Sequence, residues 1–250
     1  MDKIRPIPPT RKTEPVKQEG SEKVSAPKRI EARVEENHHL QTVLGNRFFG
    51  LREWSTMLGK PFSERQLLHT PAFPWNREFL NSPCPFTPGR SIKDTHMAFL
   101  GFEHFSGQRL SISGFERFSS SPHQPQFSFQ NHGFRENNAI RTETLQHRWY
   151  LAPLHGPHFP NTHSFEDRVS RLPQGYSVSS AIEEMTKNFL YYVRNGQYPS
   201  QNQFSFTSST TSQRERIVVG TNNHMICFDT RTYQAQESML SIASSIRLAR

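Results

Sequence analysis

Cys84, Asp94 and His96 fall within one stretch, PWNREFLNSPCPFTPGRSIKDTHMAFLG. A cysteine, an imidazole and a carboxylate are the parts of a thiol nucleophile: the imidazole takes the thiol proton and the acid orients the imidazole. A reactive thiol also needs a setting that favours the thiolate, such as a helix N-terminus or a cationic neighbour. Cys84 stands between Pro83 and Pro85 instead, with no helix directly after it. Its plain reading is a small packed side chain. Cys84 with His96 forms the thiol-enzyme alternative.

A second set lies in LHGPHFPNTHSFED, where His155, His158 and His163 precede Glu166 and Asp167. These are ligand types for zinc or iron. The spacing lacks the i, i+4 histidine pair that a metalloprotease helix presents. Twelve histidines are scattered through the chain, so the plain reading is a polar loop, with a metal-dependent enzyme as the alternative. Glu183 and Glu184 are adjacent on a helix and do not share a face. They read as helix-start charges, not as an acid–base pair. The chain has no dinucleotide fingerprint, Walker loop or Gly-x-Ser-x-Gly elbow, and no cofactor is expected.

The elements that must position these residues follow from local pattern. Pro74, Pro83, Pro85 and Pro88 fix φ and push the residues before them away from helix. The segment therefore reads as a stiff extended connector, pinned by Trp75 and Phe79, that delivers a strand over 96–102. Leu51, Trp54 and Leu58 share a helical face that Gly59 ends. Ser63 and Gln66 have capping-box spacing and open a short second helix. Ser180 and Glu183 repeat that spacing before a stripe of Ile182, Met185, Phe189 and Val193, closed by Gly196. Alternating or aromatic runs predict strands over 109–112, 126–129 and 148–154. Two more, 217–219 and 225–228, are paired around the turn-prone Thr221–Asn223. The last block, ESMLSIASSIRLAR, fits either a helix or a final strand.

Composition sets the limits. Among 250 residues the apolar fraction is 33%, yet twenty are Phe, so the core must be built from large rings. The formal charge of +8 is dispersed, with Arg11–Lys12 and Lys28–Arg29 the only adjacent basic pairs. A nucleic-acid reader concentrates its charge on one face; weak, phosphate-driven binding is the remaining nucleic-acid expectation. Two distant cysteines exclude a disulfide scaffold. They fit two reduced buried thiols and leave one long-range disulfide open. No apolar run is long enough to span a membrane, and MDKIRPIPPTRK lacks a signal-peptide core. The expectation is a soluble, cytoplasmic protein, with export by a route that reads no Sec-type signal left open.

Residues 45–250 resemble an uncharacterised bacterial family. The likeness is carried by the Trp75…Leu80-x-Ser82-Pro83-Cys84-Pro85-Phe86…Thr95-His96-x-x-Phe99-Leu100-Gly101 block, then by HRWYLAPL, then by LPQGYSVSSAIEEMTKNFLYYVRNGQY. The family has no known activity, so the resemblance carries over no catalytic residue. Its C-terminal region resembles the ligand-facing end of a binding module of the diversified, C-type-lectin-like kind. This chain keeps RIVVG and SIASSIR at matching places and has Asn222, Asn223 and His224 between them.

Together these readings predict an α+β fold. A mainly antiparallel sheet carries one amphipathic helix at about 180–195, with short helices near 50–69. Residues 1–40 form a disordered polar leader, since they hold no Phe, Tyr or Trp. Residues 41–250 form a single domain whose 203–250 part is β-rich. The expected function is non-enzymatic recognition, with a ligand or partner bound through that C-terminal part.

Overall fold

The computed structural model describes residues 26–105, 107–119, 124–129, 138–159, 162, 164–222, 225–231 and 240–246. The described chain opens with helix α1 (Ala26–Leu44), followed by β1 (Phe48–Phe49), α2 (Leu51–Leu58), α3 (Glu64–His69), α4 (Arg77–Asn81) and α5 (Ile92–Thr95). Then come β2 (His96–Leu100), β3 (His104–Phe105), β4 (Gln108–Arg109), α6 (Ile112–Phe118), β5 (Gln126–Phe129), α7 (Asn138–Arg141) and β6 (Trp149–Pro153). The remainder is α8 (Phe165–Ser170), β7 (Tyr176–Val178), α9 (Ala181–Asn195), β8 (Phe204–Thr210), β9 (Arg216–Asn222), β10 (Met225–Arg231), β11 (Ser241–Ile242) and β12 (Ser244–Ile246).

The fold is α+β with mainly antiparallel pairing, and its strands divide into two five-stranded sheets and the small β3-β4 pair. One five-stranded sheet has the order β1-β2-β6-β12-β7 and the other β11-β8-β9-β10-β5. In the first, β2 pairs antiparallel with β6 in the register His96↔Pro153 to Leu100↔Trp149. Both strands are buried along their whole length, as befits strands covered on both faces. Helix α9 supplies part of that cover. It packs on β8, β9 and β10 of the second sheet and on β2 of the first, and every residue from Ala181 to Leu190 is buried. The expected apolar stripe is therefore only one of its buried faces, and it ends at Phe189, since Val193 is exposed. Its ends follow the local signals: Glu183 Oε2 accepts the Ser180 N–H at 2.9 Å, and Gly196 closes the helix at φ +70°.

Several expectations need correction. The leader boundary at residue 40 falls inside α1, whose Leu40 and Leu44 are buried in the core; residues 1–25 lie outside the described residues. The strand expected over 109–112 is cut short: β4 ends at Arg109, and α6 begins at Ile112. Ser111 Oγ accepts the Gly114 N–H at 3.2 Å and opens α6, so Leu110 and Ile112 are buried by packing around a helix start. The ambiguous last block resolves, within the described residues, to two short strands, with Ser244–Ile246 paired to Tyr176–Val178.

Candidate functional site

The proline stretch is a scaffold with more structure than an extended connector. Asn76 Oδ1 accepts the Phe79 N–H at 2.8 Å and starts α4. Beyond α4 the chain doubles back on itself. Cys84 N–H donates to the Arg90 carbonyl at 2.8 Å, and Ile92 N–H to the Ser82 carbonyl at 3.0 Å. The turn is Thr87-Pro88-Gly89-Arg90, with Arg90 N–H on the Thr87 carbonyl at 3.2 Å and Gly89 at φ +76°. Proline then glycine at the two central positions is what a type II turn requires. The loop hands the chain through α5 to β2.

His96, the first residue of β2, is fully buried. The Thr95 hydroxyl donates to the Ser91 carbonyl at 2.9 Å, so across the 2.9 Å Thr95–His96 contact the imidazole Nδ1 is the donor. Nε2 then accepts the Tyr176 hydroxyl proton at 2.8 Å. Burial drives the His96 pKa down to about 3; Lys187 pushes it further in that direction and a hydrogen bond with the Ile92 backbone opposes. A buried imidazole with both nitrogens engaged is a structural post, not a base waiting for a substrate. Cys84 and Cys227 are both free and buried. Burial raises the Cys227 pKa, which favours the protonated, unreactive thiol.

The histidine loop is drawn into other work. His155 Nδ1 lies 2.7 Å from Ser200 Oγ, and burial, then the Lys187 charge, holds its pKa below the ordinary value. His158 is exposed, and His163 lies outside the described residues. Glu166 is within 4.0 Å of Arg216, whose guanidinium stacks 3.8 Å from the Phe165 ring centroid. Among the described residues no three His, Cys, Asp or Glu side chains gather as a metal set.

Two residues passed over as chemistry form the deepest charged pair. Lys187, with only 3% of its side chain exposed, meets Glu184 at 2.7 Å and donates to the Pro153 carbonyl at 3.2 Å. Beside them is a polar cavity of about 10 Å³, edged by Gly156, Ser205 and Thr221. That is about room for one water.

The concave surface with the most to offer lies on the outer side of the proline loop. It has a volume of about 460 Å³; Pro74, Trp75, Phe79, Pro83, Pro85, Pro173, Tyr176 and Ile246 line it, together with the polar Asn76 and Gln174. Three separate segments meet there: the loop around α4, the turn into β7, and the end of β12. Four of these residues are prolines, which bring carbonyls and no N–H. Tyr176 presents its ring, since its hydroxyl is engaged by His96. Trp75 is 5% exposed and its indole Nε1 has no hydrogen-bond partner. The other two tryptophans do have partners: Trp54 Nε1 donates to the Leu100 carbonyl at 2.8 Å and Trp149 Nε1 to the Pro71 carbonyl at 3.0 Å. The cleft is thus faced mainly by proline and aromatic rings. In the sequence its only signal is the Pro74-Trp75 and Pro83-Cys84-Pro85 composition; Pro173–Tyr176 carry none.

No protein-family model, curated protein or solved structure matches the chain.

Proposed function

We propose that this is a non-enzymatic recognition protein whose binding surface is the proline and aromatic cleft, and that its ligand is an extended peptide segment of a partner. The observation that carries the reading is the cleft itself, walled by Pro74, Trp75, Phe79, Pro83, Pro85 and Tyr176 from segments distant in sequence. Aromatic-lined grooves with a few fixed polar groups are how folded domains hold extended peptides. The C-terminal part enters this reading through Ile246, which lines the cleft from β12. The resemblance of residues 45–250 to a family without known activity is compatible with it, because the most specific block of that resemblance builds the cleft wall.

The test is a display selection of random decapeptides against the whole chain, read out by the indole N–H resonances of the three tryptophans. Selected peptides are expected to move the Trp75 resonance and leave Trp54 and Trp149 in place. Phe79→Ala should weaken them by roughly tenfold or more, the scale of losing one aromatic contact of about 1.4 kcal/mol. Peptides that bind without moving Trp75, or equally well to Phe79→Ala, would overturn the proposal.

A further inference from the structure

A second concavity, of about 360 Å³, opens between α1, α2 and the stretch that runs from Pro61 into α3. One face of α1 builds part of its wall, with Val34, His38 and Gln41 at the spacing that brings helical residues together. Phe48, Leu51, Phe62 and Leu67 supply apolar surface, and Val34 is 55% exposed, so that surface reaches the rim. The polar lining divides by exposure. Asn37 and Glu53 are buried, and Glu53 Oε2 accepts the Gly50 N–H at 2.9 Å. Gln41 and Ser55 are half-buried, while His38 and Arg52 are exposed. The carboxylate of the lining is thus tied to its own helix start, and the guanidinium is open to solvent. Arg52 gains nothing from its place in α2, because a cation in the first turn meets the positive end of the helix dipole. Among the described residues no carboxylate comes within ion-pair distance of it. It also borders a neighbouring concavity of about 400 Å³, which Arg194 and the exposed Val193 line as well.

We propose that the concavity between α1 and α2 binds a small anionic amphiphile. Its aliphatic body lies against Val34, Phe48, Phe62 and Leu67, and its carboxylate or phosphate sits on the Arg52 guanidinium. The volume is roughly twice the 150 Å³ or so of an apolar cavity that holds benzene, and it falls at the low end of small-molecule pockets. A planar guanidinium suits either head group, since its paired N–H groups match two oxygens at once. An uncharged ligand would leave Arg52 without use, and a cation would meet it as a like charge. This site goes beyond the peptide reading and shares no residue with the proline cleft.

The experiment titrates the full chain with octanoate and with octyl phosphate and follows the backbone amide resonances. Octan-1-ol, which has the chain without the charge, and acetate, which has the charge without the chain, serve as comparisons. At least one of the two anionic amphiphiles should move the amides of residues 34–41 and 51–67 and leave those of 74–85 and 173–176 in place. The tighter of the two identifies the head group. Octanol and acetate should each bind at least roughly tenfold more weakly. Arg52→Gln, at an exposed position, should weaken the anion by about tenfold, the scale of one charge-assisted hydrogen bond, and leave octanol unchanged. Val34→Glu, also exposed, should weaken it further without lowering the thermal midpoint. Octanol binding as tightly as the anions, an Arg52→Gln variant that binds them like wild type, or no movement of these amides by any probe would each overturn the proposal. Movement by phosphatidylglycerol vesicles alone, with none by the monomeric amphiphiles, would show a membrane contact and overturn it too. None of these outcomes touches the peptide reading of the proline cleft, which stands or falls on its own selection.

Discussion

His96 shows how a residue with catalytic credentials becomes structural. Its two nitrogens are engaged by Thr95 and Tyr176, and burial keeps it neutral, with a pKa of about 3. In the unfolded chain the same imidazole titrates near 6.5. As the pH falls, the unfolded chain therefore takes up the proton first. The contribution of His96 to stability is complete above about pH 6.5 and is lost as the pH falls from there toward 3. The full loss is on the order of 5 kcal/mol. Denaturant unfolding at several pH values should show stability declining across that window, and His96→Gln, which cannot take the proton, should flatten the slope there. An unchanged slope in His96→Gln would mean that the acid sensitivity arises elsewhere. Trp75 stands out by a related comparison: of three tryptophans in aromatic surroundings, only its indole N–H is left without an acceptor.

Among the elements, α1 revises the organisation most. It lies directly over the turn into α2: a Cβ placed on Gly50 would sit 2.4 Å from Asn37 Oδ1 and 2.7 Å from the Phe48 ring. Gly50 is needed there for its size rather than for its backbone angles. Gly50→Ala should cost about 1–3 kcal/mol, the usual range for forcing extra volume into a packed region. For a domain of this length that lowers Tm by several degrees, measurable by calorimetry. A Tm equal to wild type would mean that α1 does not sit on this turn. The proline loop makes the complementary point. Its type II turn and the Asn76 cap are local devices, and they hold Pro83 and Pro85 as one wall of the cleft.

At the scale of the molecule, two sheets share one helix, and the polar residues of α9 from Glu183 to Asn188 are buried. Lys187 and Glu184 satisfy each other there, with 3% and 4% of their side chains exposed. Breaking such a pair from one side leaves a buried charge without its partner and costs about 3–5 kcal/mol. Lys187→Met is expected to lose stability on that scale, whereas Glu184→Gln with Lys187→Met should recover much of it. Equilibrium unfolding of the single and double variants decides this, and a double variant no better than the single one would rule it out. What was legible in the amino-acid order was short-range: the Ser63–Gln66 and Ser180–Glu183 caps, the glycine stops after α2 and α9, the hairpin of β9 and β10, and the stiffness of the proline stretch. Each depends on groups within a few residues, where chain connectivity already supplies the proximity. The sequence alone thus determined the α+β character and the aromatic make-up of the core. Only the tertiary structure decided that α9 is buried between two sheets, that Tyr176 caps His96 from a strand far along the chain, and that Pro74, Trp75, Pro83, Pro173 and Ile246 form one cleft. Those contacts depend on the joint packing of segments distant in sequence, which no local pattern records.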